Sequence, residues 1–319
     1  MAQTLLEYLD ALDERDLIWP QPPDPEPLRA KPTLKPLSDV RAVTWSVYGT
    51  LLTIQDGELL HLHPEGVRNQ VALEKTIEEF NMWFSMSRKP GQPWEYMLQQ
   101  YRGVFDRMRM AGTKRKGDFP HVNSSVLWQT LVARLQQNEY TWDRATFGDE
   151  ESYADKVACF FHASLQGTKA APEAADTLLR LSQGGICIGI LAETQPFTMA
   201  QLIKQLDLRT RLGSSDSLFS PGLLTESHRA GIRKPSPTLY ALAVRRAQKA
   251  GLQPHQVLHV GHDLGHDLRL AREFGFCTAL YVGDRNSCRV DAQQLKDPDL
   301  KPDRLITSLR QVVEIVGSF

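Results

Sequence analysis

Ser46 is the first side chain in the sequence whose type and position could take part in chemistry. It lies in a run of β-branched and aromatic residues, 42–47, which predicts a short buried strand. The following Tyr48-Gly49-Thr50 interrupts that pattern and predicts a loop. In an open α/β sheet, the loops that leave the carboxyl ends of the strands form the ligand-binding edge. The Ser46 hydroxyl is therefore expected at such an edge.

A second group of reactive side chains follows the predicted strand 256–260. His262, Asp263 and Asp267 supply an imidazole and two carboxylates there. A serine, a histidine and a carboxylate are the residue types that form a Ser-His-Asp catalytic triad. In the competing interpretation, the Ser46 hydroxyl and the His262 imidazole form hydrogen bonds with backbone groups only. It is favoured because a triad depends on mutual geometry that a sequence does not define.

Lys234 adds a cation immediately before Pro235, which opens a predicted helix over 236–250. A solvent-exposed lysine at a helix start is one interpretation. A buried ammonium is the other, and it is costly unless it is paired. We favour a Lys234 that pairs with Asp263 or Asp267, or that binds an anion.

Strands and helices alternate through the second half of the chain, and this alternation predicts a parallel sheet covered on both faces. The predicted strands are 186–191, 218–219, 256–260, 278–282 and one near Leu305, and the predicted helices are 174–183, 199–206, 236–250, 267–274 and 309–316.

Residues 65–166 show helical spacing of apolar side chains and no convincing strand, so they are predicted to form a helical insert. Just before them, Asp56-Gly57 lies between two short apolar runs and predicts a β-hairpin. At the N-terminus, residues 4–18 are predicted to form an amphipathic helix. Seven prolines in 20–36 then predict an extended arm, which is expected to pack on its own domain rather than to dock a partner.

Composition narrows the range of functions. The 319 residues carry a formal net charge of −1, so no overall field attracts nucleic acid or an anionic membrane, and neither partner is expected. There is no secretory leader pattern and no apolar run of the roughly 20 residues that a membrane span needs. Four cysteines without metal-ligand spacing are expected to be reduced, as in a cytoplasmic protein. They are Cys159, Cys187, Cys277 and Cys288.

A basic stretch in the helical insert has few balancing acids. We expect a solvated face there, and the alternative is a surface that steers an anionic ligand toward the pocket. His61 and His63 alternate on the predicted hairpin and are expected to be surface residues. The basic residues are Arg102, Arg107, Arg109, Lys114, Arg115 and Lys116.

Four segments, in order, resemble the motifs of the haloacid dehalogenase (HAD) superfamily. The segment 43–52 is similar to motif I, whose usual form is Asp-x-Asp/Tyr-Gly-Thr-Leu, and 189–194, 230–240 and 260–268 are similar to motifs II, III and IV. The resemblance implies a doubly wound parallel sheet, a Rossmann-like core, formed by residues 41–64 and 167–319. It further implies a helical cap domain at 65–166, preceded by an N-terminal helix and arm at 1–40.

The resemblance also shows where this chain departs from the family. Ser46 stands where the family has its nucleophilic Asp, Ala192 replaces a hydroxyl residue, and His262 replaces the first acid of motif IV. A serine forms neither an acyl-phosphate nor an aspartyl ester. Tyr48 replaces the general acid of the phosphatases, but a Tyr there also occurs in the metal-independent dehalogenase branch. The family's lysine and second motif IV acid are matched by Lys234 and Asp267.

These departures define the expected function. We expect a HAD-like protein that has lost the ordinary hydrolase chemistry and that binds a small anionic molecule or a protein partner. The ligand would contact Gly49, Thr50, Thr194, Asp263 and Lys234.

The alternative is an active hydrolase of a phosphoester or a 2-haloacid, built around Ser46, His262, Lys234 and Asp267. No cofactor is expected. Mg²⁺ is disfavoured because a hydroxyl and an imidazole are poor magnesium ligands. A weak metal site formed by Asp263 and Asp267 is the remaining alternative.

Overall fold

The computed structural model describes residues 2–86, 91–212, 218–290, 293–294, 297 and 300–317. These described residues form ten strands: β1 (Ala42–Trp45), β2 (Leu52–Ile54), β3 (Phe119–Pro120), β4 (Thr168–Ala170), β5 (Cys187–Ala192), β6 (Phe219–Glu226), β7 (Ile232–Arg233), β8 (Val257–Gly261), β9 (Cys277–Tyr281) and β10 (Arg304–Ile306). Six of them make the central sheet in the order β10-β9-β8-β1-β5-β6, and every pairing in it is parallel.

The helices are α1 (Leu5–Asp13), α2 (Gly66–Glu79), α3 (Pro93–Arg109), α4 (Ser124–Gln136), α5 (Arg144–Phe147), α6 (Glu150–Leu165), α7 (Ala174–Gln183), α8 (Thr198–Gln205), α9 (Leu208–Leu212), α10 (Ser227–Ala230), α11 (Pro237–Lys249), α12 (Arg269–Glu273) and α13 (Gln311–Val316). Helices α7 to α13 alternate with the strands of the parallel sheet. The predicted α/β architecture is therefore confirmed. Within the described residues, no helix is both long and apolar enough to cross a membrane.

Two large hydrophobic clusters and two smaller ones stabilise the described chain. One of the large clusters surrounds the sheet and includes Trp45, Ile190 and Val260, all fully buried. The other lies mainly within residues 66–165, here called the helical region, and is rich in aromatic side chains such as Trp128 and Phe161. Burial of such side chains contributes roughly 1.5–3 kcal/mol each. Each part of the chain thus has its own apolar core.

Two local predictions were wrong. The hairpin at Asp56-Gly57 does not form, because β2 pairs antiparallel with β4. Asp56 and Gly57 do have the positive φ angles of 58° and 70° that this dipeptide favours. The turn signal was correct, but the chain continues into the helical region instead of returning. The helical region also contains the two-residue strand β3, which pairs with β7 of the core.

The N-terminal segment contacts both parts of the molecule. A capping box between Thr4 and Glu7 starts α1, and Tyr8 lies buried in the aromatic cluster of the helical region. On the other side of α1, the Asp10 carboxylate pairs with Lys204 of α8 at 2.8 Å. The arm that follows runs along the core, where Leu28 N donates to Val282 O at 3.0 Å. The first forty residues therefore link the helical region to the sheet.

Candidate active site

The candidate site lies at the carboxyl ends of the two central strands. Trp45, the last residue of β1, is in register with Val260 of β8 and Ile190 of β5. Ser46 follows directly, and its backbone N–H donates to Val260 O at 2.9 Å. A side chain on Gly261 would meet the Ser46 and Asp267 side chains, so glycine is required at this close approach. The motif I and motif IV segments are thus adjacent.

Asp267 is the centre of the site. Its Oδ2 accepts a hydrogen bond from Ser46 Oγ at 2.6 Å, and its Oδ1 pairs with Lys234 Nζ at 2.5 Å. The same Oδ1 accepts from Tyr240 Oη and His259 Nε2, both at 2.9 Å. Lys234 Nζ also donates to Ser46 Oγ at 2.9 Å. We call these five side chains the Asp267 network.

Burial and charge act in opposite directions on Asp267. Burial by itself would raise the pKa of its carboxyl, but His259, Lys234 and their hydrogen bonds overcome this effect. The pKa is held well below its usual range, so Asp267 is ionised at neutral pH. Only 2% of Asp267 and 8% of Lys234 are exposed. The lysine is buried because the aspartate neutralises it.

His259 and Tyr240 were missed by the sequence interpretation. His259 is fully buried inside β8, and burial lowers the pKa of its imidazole, which favours the neutral form. Its Nδ1 lies 3.0 Å from Thr44 Oγ1. Nδ1 also lies 3.2 Å from the Thr44 carbonyl oxygen, and Nε2 contacts Asp267 Oδ1, so both ring nitrogens have polar partners. A histidine in a buried strand was the available signal, because it requires polar partners.

His262 is held away from Ser46. Its Nδ1 lies 3.3 Å from Thr50 Oγ1, and its ring fills the space between two glycines. A Cβ on Gly49 would lie 2.7 Å from the ring, and one on Gly57 would lie 2.6 Å from it. Burial lowers the pKa of His262 to about 4. Within the described residues, the Ser46 hydroxyl bonds to Asp267 and Lys234 and not to His262.

The remaining predicted contact residues are engaged with protein groups. Tyr48 Oη lies 3.0 Å from Thr198 Oγ1 and donates to Gln201 Oε1 at 2.8 Å. Thr194 Oγ1 lies 2.9 Å from His228 Nδ1. Asp263 caps the turn that follows it by accepting from His266 N at 2.8 Å. Ala192 is buried and offers no polar side-chain atom.

Gln195 closes the site toward the helical region. Its Oε1 accepts from Ser124 N at 2.8 Å, and its Nε2 donates to Val122 O at 3.0 Å. The same Nε2 lies 3.3 Å from His61 Nε2. His61 is partly buried, which lowers its pKa well below the usual value, and His63 is only 4% exposed, so the prediction that both are surface residues was wrong. Gln195, in the loop after β5, is therefore hydrogen-bonded to the helical region.

Glu193 is a third residue that the sequence interpretation missed. Its Oε1 is buried without a hydrogen bond and lies 3.9 Å from the Arg233 guanidinium. Burial raises the pKa of this carboxyl. Its position, between the replaced motif II residue and Thr194, was the only signal.

These contacts limit the chemistry available to Ser46. A serine nucleophile needs a base that accepts its proton. The base in contact is Asp267, whose lowered pKa makes it a weak proton acceptor. The proton acceptor in contact with the Ser46 hydroxyl is therefore a weak base.

The donor set also does not fit Mg²⁺. A divalent cation at Ser46 and Asp267 would meet the Lys234 ammonium, which already contacts both side chains. The Asp263 carboxylate bonds to the backbone and ring of His266. Across the described part of the chain, no three His, Cys, Asp or Glu side chains are grouped so that they could hold a metal.

Comparison with known proteins identifies the scaffold. The haloacid dehalogenase-like hydrolase family matches residues 40–275, which is most of the chain. The chain belongs to this family. A glyceraldehyde 3-phosphate phosphatase from Methanopyrus kandleri is 27% identical over 163 residues, which cover 51% of this chain and 63% of that protein. The match therefore spans less than two thirds of the relative's length.

Comparison with solved structures supports the fold. A 2-haloacid dehalogenase from Pseudomonas syringae superposes with a TM-score of 0.50 at 20% identity, covering 86% of this chain and 97% of that one. A dehalogenase with an intermediate complex gives a TM-score of 0.46 at 19% identity, with coverages of 88% and 99%. At these identities the likeness concerns the fold alone, so arguments about chemistry rest on the residues of this chain.

Proposed function

We propose that this chain is a non-hydrolytic member of the family that acts by binding a protein partner. One observation carries the proposal: the Asp267 network ties the Ser46 hydroxyl and the Lys234 ammonium to a single buried carboxylate. Both groups that a substrate would need to meet are bound to other protein atoms.

The surroundings of Ser46 are unfavourable for covalent catalysis. In the family motif, the residue in the place of Ser46 is a carboxylate, which attacks without losing a proton. A serine hydroxyl must first transfer its proton, and Asp267 is a poor acceptor. His262, the other candidate base, is held by Thr50 and packed against Gly49 and Gly57. The site is thus better suited to a stable structure than to turnover.

The pairing of Lys234 with Asp267 also opposes the binding of a small anion. A small anion at Lys234 would have to displace Asp267 from a 2.5 Å contact inside a nearly inaccessible site. Truncating one partner of a buried ion pair typically costs about 3–5 kcal/mol. That cost opposes binding of a small anion and favours a protein partner on the surface.

Hydrolysis of a phosphoester or a 2-haloacid is the competing function. The names of the relatives support it, and so do Lys234 and Asp267, which stand at the family's motif positions. The two functions are distinguished by assays with an aryl phosphate and a 2-haloacid, each with and without Mg²⁺. The native protein is expected to show no turnover. Turnover that is lost in Ser46→Ala, with that variant folded by circular dichroism, would refute the proposal.

The variant Ser46→Asp provides a further test. It places a second carboxylate beside Asp267, so we expect it to be less stable than the native protein. Activity that appears only in Ser46→Asp would support a site that lacks its nucleophile and is otherwise intact.

A further inference from the structure

The second half of α3 and the loop after it carry six basic side chains. All six basic side chains between residues 102 and 116 are exposed. Within the described residues, none of the six forms a salt bridge with a carboxylate. We call this set the basic surface. Its members are Arg102, Arg107, Arg109, Lys114, Arg115 and Lys116.

The loop part of the basic surface is anchored at both ends. Thr113 Oγ1 donates to the carbonyl oxygens of Arg115 at 3.0 Å and Asp118 at 3.3 Å, which closes the loop on itself. Just after the loop, Phe119 N donates to Ser236 Oγ at 2.7 Å, and β3 pairs with β7. The cations therefore extend from a fixed backbone, which lowers the entropy lost when a partner binds.

Charge is distributed unevenly over the chain. Residues 102–118 contain six basic and two acidic side chains, although the whole protein has a formal net charge of −1. The remainder is accordingly net negative. An acidic segment is complementary in charge to the basic surface, and a short one need not contact the net-negative remainder of the chain.

The side chains themselves indicate the kind of partner. Four of the six cations are arginines, and Met110, between Arg109 and the loop lysines, is 76% exposed. Arginine and methionine are enriched in protein–protein interfaces, where lysine is depleted. Arginine also binds carboxylates through two parallel hydrogen bonds. We propose that the basic surface binds an acidic segment of a partner protein, an inference that rests on the proposed partner-binding role.

The test uses the full-length protein and a short fluorescein-labelled oligoglutamate peptide, followed by fluorescence anisotropy. The double variant Arg115→Ala/Lys116→Ala removes two cations from the loop. The matched control, Arg245→Ala/Lys249→Ala, removes one arginine and one lysine that are exposed on α11. We expect the loop variant to bind about fivefold to tenfold more weakly and the control to match the native protein. Added salt should weaken native binding.

Two further titrations distinguish an acidic protein segment from nucleic acid and from an anionic membrane. A short DNA duplex and vesicles of phosphatidylglycerol are titrated under the same conditions. The proposal is overturned if the native protein does not bind the peptide, if both double variants lose affinity equally, or if duplex or vesicles bind through the loop while the peptide does not. None of these outcomes depends on hydrolysis, so failure here is distinguishable from failure of the non-hydrolytic assignment.

Discussion

Replacing Lys234 with methionine should reveal how strongly the Asp267 network stabilises the fold. Methionine keeps most of the volume and removes the charge, which leaves Asp267 ionised in a site where 3% of its side chain is exposed. At 2.5 Å and an effective dielectric constant of about 20, the lost attraction is about 7 kcal/mol. Removing the lysine also removes its own desolvation penalty. The net loss expected for a broken buried pair is about 3–5 kcal/mol.

The measurement is urea-induced unfolding at pH 7, followed by circular dichroism. The matched control is Arg269→Met, because Arg269 forms a 2.9 Å pair with Glu273 in which both side chains are about half exposed. Such a pair contributes at most about 1 kcal/mol. A loss of free energy of unfolding no larger for Lys234→Met than for the control would refute the reasoning. It would mean that Lys234 is not needed to neutralise Asp267.

Three further predictions concern other parts of the molecule. Gly49→Ala should lower the free energy of unfolding by more than about 2 kcal/mol, because φ is 74° and the new Cβ would meet the His262 ring. The double variant Gly49→Ala/His262→Ala should recover part of that loss in the same urea titration. Burial lowers the pKa of His162 to about 3, so on acidification the unfolded chain binds the proton before the folded one does. His162 should therefore cost about 2 kcal/mol of unfolding free energy between pH 7 and pH 5. His162→Gln should reduce that loss, and an unchanged pH dependence of stability would contradict the prediction. Tyr8→Ala should destabilise the protein by about 3 kcal/mol and accelerate hydrogen exchange in the helical region. Hydrogen exchange at the native rate would show that α1 does not stabilise that region.

The fold could be predicted because its signals are local. Apolar spacing and turn residues place α7, α8 and α11 within two residues of their observed bounds. The hairpin at Asp56-Gly57 failed for a different reason. The partner of β2 is β4, more than a hundred residues later, and no local pattern indicates that pairing. Local turn chemistry was interpreted correctly, and long-range pairing was not.

The candidate site shows the same difference between local features, which could be predicted, and long-range packing, which could not. The cost of burying an ammonium predicts a partner for Lys234, and the structure pairs it with Asp267. His259 and Tyr240 were missed because their contact with Asp267 depends on how β8, α11 and the following turn pack together. The position of His262 depends on the space left by two glycines, which a sequence alone does not define.

The most direct test of the non-hydrolytic assignment compares aryl phosphate hydrolysis by native protein and by Ser46→Ala, purified in parallel and titrated over the same concentrations. We expect that neither protein hydrolyses the substrate above the rate without protein, with or without Mg²⁺. A native rate that rises in proportion to protein concentration, together with a Ser46→Ala rate that does not, would contradict the non-hydrolytic assignment.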